Sequence, residues 1–428
     1  MKRVRKAFSL KPFAGSVPVC PEAFTARPCD IAGRWMTTPF SIKALGDSAY
    51  ANGVNRIIYH RFTHQPWADD RYLPGMTMGK WGMHLDHTQA WWEFAKPWFL
   101  YQSRCQWMLQ AGTFCADVLF FAGEQAPNTG ELQFFRAPEG YDCDVCPADA
   151  LYLLKVENGL VVAPGGVKYR LLALPPMEAC SPDMMACVAK LKDDGAAIAW
   201  TKKPTRTPGL RWGREGDARV VEAADALWAK GIFECSPAEA LKRLGVPPDV
   251  RVESNGAKGV QKIEWLHRAD AEADWYFTAM PNSAEATAEI SFRQAGRVPE
   301  LWDAETGECA AADVWREENG RTYVTIPYSV SGSMFVVFRS NREEGIGNRE
   351  EGKRNREEGK GNREEGKGNR EEGGRLSAVR LAREDTRPPI QISDFRAVDG
   401  VLPEWLFAEQ AREGPGRENG IRPSDVVA

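Results

Sequence analysis

Three stretches of the chain carry different hydrophobic patterns. Within residues 116–255, "ADVLFFAG" and "YRLLALPPM" are continuous apolar runs of strand length, the pattern of strands buried on both faces. Ser181-Pro182 follows the second run, a helix cap with proline at the first helical position. That helix should stop at Gly195, and "AAIAW" reads as the next strand. The order β-α-β predicts a parallel sheet and a Rossmann-like α/β domain. Ser236-Pro237-Ala238-Glu239 is a capping-box sequence for a further helix, closed by Gly245. Within residues 256–340, "KIEWLHRA", "ADWYFTAM", "ATAEISFR", "RTYVTIPY" and "SMFVVFR" are short, β-rich and separated by turn residues. They predict antiparallel strands in a small β-sandwich-like module.

The first 115 residues are dense in aromatics. "VPVCPEAFT" is a strand-like run ending at Glu22, "SIKALGDSAYANG" a helix with an apolar face and Gly53 near its end, and "NRIIYH" a second strand. These three make one further β-α-β step. Beyond residue 340 the pattern stops. Asn-Arg-Glu-Glu-Gly recurs from Asn341, Asn348, Asn355, Asn362 and Asn369, with Ile346 the one large apolar residue in the run. A period of seven without an apolar seam is no coiled coil. Residues 341–374 are therefore expected to be disordered, and the regularity suggests a tandem repeat at the DNA level. The tail 375–428 is expected to be disordered as well.

Composition narrows the function classes. The 428 residues carry a net charge of -4 and are 43% hydrophobic, which gives no case for nucleic-acid binding. No apolar run approaches the ~20 residues of a membrane span. Lys2, Arg3, Arg5 and Lys6 look like the start of a signal peptide, but Lys11 and Pro12 interrupt the apolar stretch that should follow. No secretion signal is read, and the compartment and oligomeric state stay open. Ten cysteines in a chain this long need not form disulfides. Cys143 and Cys146 are a lone C-x-x-C without the second pair of a zinc site, and read as plain thiols.

Candidate chemistry concentrates near the N-terminal end. Four of the five histidines lie in the first 115 residues. Glu22 ends a strand, where β/α barrels place catalytic carboxylates, although a solvated surface glutamate fits the same segment. His60 ends the next strand, with His64, Gln65 and Trp67 on the loop beyond, and His84, Asp86 and Trp91 follow. Such residues suit a sugar, which offers hydroxyls at its rim and C–H bonds on its face. His60 and His64 have metal-ligand spacing only on a helix, and this segment reads as strand and loop. Trp91-Trp92 also fits core packing. Walker, G-x-G-x-x-G and G-x-S-x-G motifs are absent. Cys180 and Cys187 have no histidine within their region to serve an amidotransferase-like hydrolase.

"PEAFT", "LGDSAYANGVNRIIYHRFTHQPW", "PGMTMGKWGMHLDHTQAWW" and "YQSRCQWMLQAGTFCADVLFF" occur in that order. With "GVKYRLLALPP", "IEWLHRADAEADWYFTAMPN" and "GRVPELWDAETGE", they resemble the distal barrel and accessory domains of glycoside hydrolase family 106, the α-L-rhamnosidase-like enzymes. The resemblance spans about residues 15–339. It implies an inverting hydrolase removing α-L-rhamnose from plant or pectic glycans with two carboxylates, of which Glu22 matches one. It also implies a calcium ion whose ligands the sequence does not place. A (β/α)₈ barrel needs ~250 residues, and some 20 precede Glu22, so residues 1–115 are expected to be the C-terminal part of a truncated barrel, inactive by itself. The alternative is a non-catalytic carbohydrate-binding or accessory module. In either case the expected partner is a rhamnose-containing glycan.

Overall fold

The computed structural model describes residues 18–27, 33–64, 66–67, 69–72, 76, 81–124, 135–253, 262–281 and 283–340. The repeat, the tail and Gln65 lie outside these residues.

The N-terminal segment forms the expected β-α-β step. Strand β1 (Glu22–Ala23) pairs in parallel with β2 (Ile58–Tyr59), with Glu22 opposite Ile58 and Ala23 opposite Tyr59. Helix α1 (Pro39–Ala51) connects them. It begins two residues before the expected Ser41, because Thr38 and Ser41 exchange side-chain hydrogen bonds as a capping box and Pro39 takes the first turn. The next helix, α2 (Lys96–Gln110), leads into β3 (Thr113–Phe114). Side chains alternate across β2. Ile57 is buried and Tyr59 packs on the core, with its ring 6.1 Å from Phe99 of α2, while Ile58 is 52% exposed. The step therefore has one face covered by helices and one face open.

Strands β4 (Val118–Phe121) and β5 (Cys143–Cys146) open the α/β part. A short helix, α3 (Ala148–Leu151), follows, then an antiparallel meander β6 (Lys155–Glu157), β7 (Leu160–Val162) and β8 (Lys168–Tyr169) that the sequence reading missed. Strand β9 (Leu171–Leu174), helix α4 (Pro182–Asp193) and strand β10 (Ile198–Trp200) form the second β-α-β unit. Helices α5 (Gly213–Ala229) and α6 (Pro237–Arg243) complete it. The sheet is wholly parallel, in the order β10-β9-β4-β5. Leu119, Phe121, Leu172 and Trp200 pack one face, and Val118, Phe120, Leu171 and Ala173 pack the other. Both faces are buried, which is why these strands read as unbroken apolar runs. Ser181 caps α4 by accepting the Met184 N–H at 3.1 Å. At α6 only half of the capping box forms. Ser236 Oγ accepts the Glu239 N–H at 3.3 Å, while the Glu239 carboxylate pairs with Arg243. Cys143 and Cys146 lie in separate cores on opposite faces of the sheet, so they cannot converge on one ion.

The C-terminal part is antiparallel. It comprises β11 (Val250–Val252), β12 (Glu264–Ala269), β13 (Ala273–Ala279), β14 (Ala286–Phe292), β15 (Pro299–Trp302), β16 (Cys309–Ala311), β17 (Trp315–Glu318), β18 (Arg321–Tyr328) and β19 (Ser333–Arg339). One sheet has the order β11-β14-β18-β17, the other β16-β15-β19-β13-β12-β3. The two share a core around Tyr276, Ile290, Phe292, Ile326 and Phe338. The alternate residues Trp275, Phe277, Phe335 and Val337 point the other way, into a core shared with α1 and α2 through Tyr50, Tyr101 and Leu109. The six-stranded sheet is thus buried on both faces, and the N-terminal step is built onto it. Each fully buried aromatic there contributes roughly 1.5–3 kcal/mol.

Two buried charge clusters fix these parts together. Lys43 of α1 reaches Asp47 at 2.7 Å, Ser331 O at 3.0 Å and Ser333 Oγ at 3.1 Å, with Tyr101 also donating to Asp47. His267 of β12 lies between Asp249 (2.8 Å) and Asp274 (2.9 Å). Arg293 then links Asp249 (3.7 Å) to Asp117 (2.9 Å), just ahead of β4, and Arg170 reaches Asp117 at 3.2 Å. This chain of charges connects the antiparallel sheets to the α/β part.

Candidate active site

Of the predicted site residues, Glu22 lies on β1 and His60 directly follows β2. The Val19 and Pro21 carbonyls receive N–H bonds from residues 55, 56 and 58, so the run through Glu22 lies along the strand that ends in His60. The segment 82–85 continues the set. Gly82 N donates to Ala26 O at 2.9 Å, Met83 N to His60 O at 3.1 Å, His84 N to Arg34 O at 3.2 Å, and Leu85 N to Arg61 O at 3.1 Å. Gly82 is required at this crossing. Its φ is +83°, and an added Cβ would lie 2.2 Å from His60 Nδ1 and 2.5 Å from His60 O.

Glu22 is exposed on the open face, and Thr25 Oγ1 donates to its Oε1 at 2.7 Å. Its register partner Ile58 is exposed on the same face. His60 is half-buried, and its Nδ1 is buried without a hydrogen-bond partner among the described residues. His64 is exposed. Trp67 is 45% exposed and stacks on Tyr72, ring centroids 5.3 Å apart.

His84 and Asp86 lie elsewhere, at 1% and 3% exposure. Sequence reasoning treated them as loop residues facing a ligand. In the structure they are packed beneath the surface. The reason is the extended pairing of residues 82–85, which carries His84 inward instead of leaving it on a solvated loop. Burial, and next the Arg61 charge, hold the His84 imidazole below its ordinary pKa. The ring is therefore neutral, and Asp86 Oδ2 at 4.0 Å is no ion pair to it. Arg61 Nη2 lies 3.2 and 3.3 Å from the two ring nitrogens. Asp86 Oδ1 instead accepts the Thr88 N–H at 2.9 Å and the Thr88 hydroxyl. Trp91 is half-buried, packs on the first core and donates its indole N–H to Thr37 O at 3.1 Å. Its neighbour Trp92 is buried. That pair follows the core-packing reading.

The sequence reading overlooked Trp35, Arg61 and Thr88. Trp35 stacks flat on His84 at 4.3 Å and 6°, and its indole N–H donates to Thr88 Oγ1 at 2.9 Å. The available signal was a tryptophan just past Gly33, in the turn from a strand to a helix. Among the described residues, no group of three or more His, Cys, Asp or Glu is arranged to hold a metal. Calcium requires six to eight oxygen ligands, so no residue here is assigned to it. No described helix is long and apolar enough to cross a membrane. In the α/β part, burial raises the thiol pKa of Cys180 and Cys187. That direction is opposite to the lowered pKa a thiol nucleophile needs.

Comparison with known proteins gives this geometry a context. A protein of Formosa agariphila named "Putative beta-glucuronidase" is 34% identical over 336 residues, covering 77% of this chain and 28% of that protein. The solved rhamnosidase from Novosphingobium sp. PP1Y superposes with a TM-score of 0.67 at 29% identity, over 76% of this chain and 32% of that one. The chain thus spans about a quarter to a third of the length of these relatives. The family model described as alpha-L-rhamnosidase matches residues 2–315. On that match the chain belongs to glycoside hydrolase family 106, the alpha-L-rhamnosidase family.

Proposed function

We propose that this chain supplies the C-terminal part of the catalytic barrel of an inverting glycosidase that releases α-L-rhamnose from plant or pectic glycans. Residues up to 115 are the last barrel strands and the aromatic loop. Residues 116–255 are a Rossmann-like accessory domain, and 256–340 a β-sandwich-like module. The observation that carries the reading is the placement of Glu22. It stands on the open face of a parallel β-α-β step, at the end where barrel enzymes keep their chemistry, with Thr25 orienting its carboxylate. In an inverting enzyme, one carboxyl protonates the leaving oxygen. The other activates water on the opposite face of the sugar, some 6.5–9.5 Å away. Glu22 is one of this pair. His60, His64 and Trp67 line the sugar site, and His84 and Asp86 support it from beneath.

The name of the Formosa relative favours a uronic acid as the competing substrate. A carboxylate on the sugar calls for a facing cation, whereas rhamnose carries a methyl group there. A binding module without hydrolysis is the second reading, favoured by the exposed Trp67–Tyr72 stack. One experiment separates all three. Chromogenic α-L-rhamnoside and β-glucuronide are offered to the chain, and to a chimera carrying residues 18–339 in the Novosphingobium rhamnosidase. Glu22→Gln is run alongside each. The expected result is rhamnoside hydrolysis in the chimera that falls about 10²–10⁴-fold in Glu22→Gln with binding retained. Preference for the glucuronide corrects the substrate. Binding with hydrolysis indifferent to Glu22 in a folded chimera refutes the catalytic role.

A further inference from the structure

Trp35 sits in the turn between β1 and α1, beside the segment that connects both strand ends. Arg34 N donates to Gly82 O at 2.6 Å, and Gly82 N to Ala26 O at 2.9 Å. Trp35 is therefore two backbone hydrogen bonds from the chain that has just left Glu22. Two contacts immobilise its indole, and two further residues hold those contacts in place. The neutral His84 ring lies flat under one face at 4.3 Å and 6°. Thr88 Oγ1 accepts the indole N–H at 2.9 Å. Asp86, buried, holds Thr88 through both its N–H and its hydroxyl. Arg61, also buried, lies against His84 from within.

Despite these contacts Trp35 is 39% exposed. One face is covered by the imidazole, so the exposed area belongs to the other face and the edge. A core tryptophan would be covered on both faces. An ordinary surface tryptophan would not be held at its ring and its N–H by a stack of buried polar groups. An aromatic fixed before the ligand arrives loses little entropy on binding.

We infer that Trp35 is the platform on which the C–H face of the sugar ring stacks, and that His84, Arg61, Thr88 and Asp86 are positioning residues for it. The inference rests on the glycosidase reading. It commits to a neutral 6-deoxy pyranoside such as rhamnose, because a flat indole offers its apolar face to C–H and methyl groups and no charge to a uronate.

The test is calorimetric titration of the full chain with methyl α-L-rhamnopyranoside and methyl β-D-glucuronide. The variants are Trp35→Ala, Trp35→Phe and Thr88→Val, each with its thermal transition recorded. Trp35→Ala should weaken rhamnoside binding about 10-fold or more, Trp35→Phe by less than about 3-fold, and Thr88→Val by about 3- to 10-fold. Rhamnoside binding unchanged in Trp35→Ala overturns the platform and leaves the glycosidase reading standing. The same holds if Trp35→Phe is as weak as Trp35→Ala. Failure of the wild-type chain to bind either glycoside overturns the platform, while rhamnoside hydrolysis in the chimera decides the glycosidase reading separately. Should Trp35→Ala not fold, Thr88→Val decides, since it keeps the ring and removes the acceptor of its N–H together with the Thr88 hydroxyl bond to Asp86. Wild-type affinity in that variant overturns the positioning.

Discussion

Changing His267 to Gln should destabilise the fold in a pH-dependent way. His267 is buried, with Asp249 at 2.8 Å on one nitrogen and Asp274 at 2.9 Å on the other. Burial alone would depress the imidazole pKa, but the Asp249 charge and the hydrogen bonds to both carboxylates outweigh it and hold it well above the ordinary value. Burial likewise pushes the two carboxyls up, and His267, together with Arg293 at Asp249 and Arg297 at Asp274, more than reverses that, leaving both below their ordinary values. A histidine raised in the folded state stabilises fully below its unfolded pKa of about 6.5. That stability is lost as pH rises through the folded value, at up to about 1.4 kcal/mol per pH unit. The two lowered carboxyls stabilise above about pH 3.9, and their contribution is lost as pH falls through their folded values. The cluster is therefore strongest between about pH 4 and 6.5.

Removing one partner of a buried pair costs about 3–5 kcal/mol. Asp274 keeps Arg297 at 2.7 Å, and Asp249 keeps the Tyr276 hydroxyl at 3.0 Å. The lower end of that range, about 3 kcal/mol near pH 6, is therefore expected. It corresponds to a fall in Tm of roughly 3–5 °C for a chain of this size. The assay is thermal unfolding of wild type and His267→Gln from pH 4 to 9. The gap between them should narrow above pH 6.5. A loss below about 1 kcal/mol, or parallel curves across the whole range, would refute the argument.

Gly82→Ala should cost about 2–4 kcal/mol, from the positive φ and the 2.2 Å approach to His60, and should abolish glycoside binding; calorimetry and titration check both. Lys43→Met should cost about 3–5 kcal/mol by leaving Asp47 buried and unpaired, and Lys43→Met/Asp47→Leu should recover most of it; a double variant no more stable than the single contradicts this. In native protein, Ellman's reagent should label exposed Cys20 fast, while Cys105, Cys146 and Cys180 react only after unfolding; burial also pushes the Cys309 thiol up to about 12, so it too should label slowly. Ser181→Ala should lose about 1–2 kcal/mol, since the cap of α4 also holds the Glu124 carboxylate through its N–H at 2.8 Å and its hydroxyl; thermal unfolding measures it.

What the sequence determined by itself is what short-range chemistry controls. The runs at residues 118–121 and 171–174, the Ser181-Pro182 cap, and the glycine stops at Gly195 and Gly245 are legible because each depends on residues within one or two turns. The alternating strands after residue 263 are legible for the same reason, whereas Glu22, read as the end of a strand, begins the paired strand β1. The tertiary structure decided what depends on neighbours far along the chain. Thr113–Phe114 joins the six-stranded sheet because Arg268 and Ala269 offer it an edge. His84 turns inward because residues 82–85 find partners in Arg34, His60 and Arg61. Trp35 becomes a fixed surface only once His84 and Thr88, some fifty residues later, lie against it. Periodicity reports which face of an element is apolar, but not which distant segment covers it, and the surroundings of His84 and Trp35 are set by that second fact.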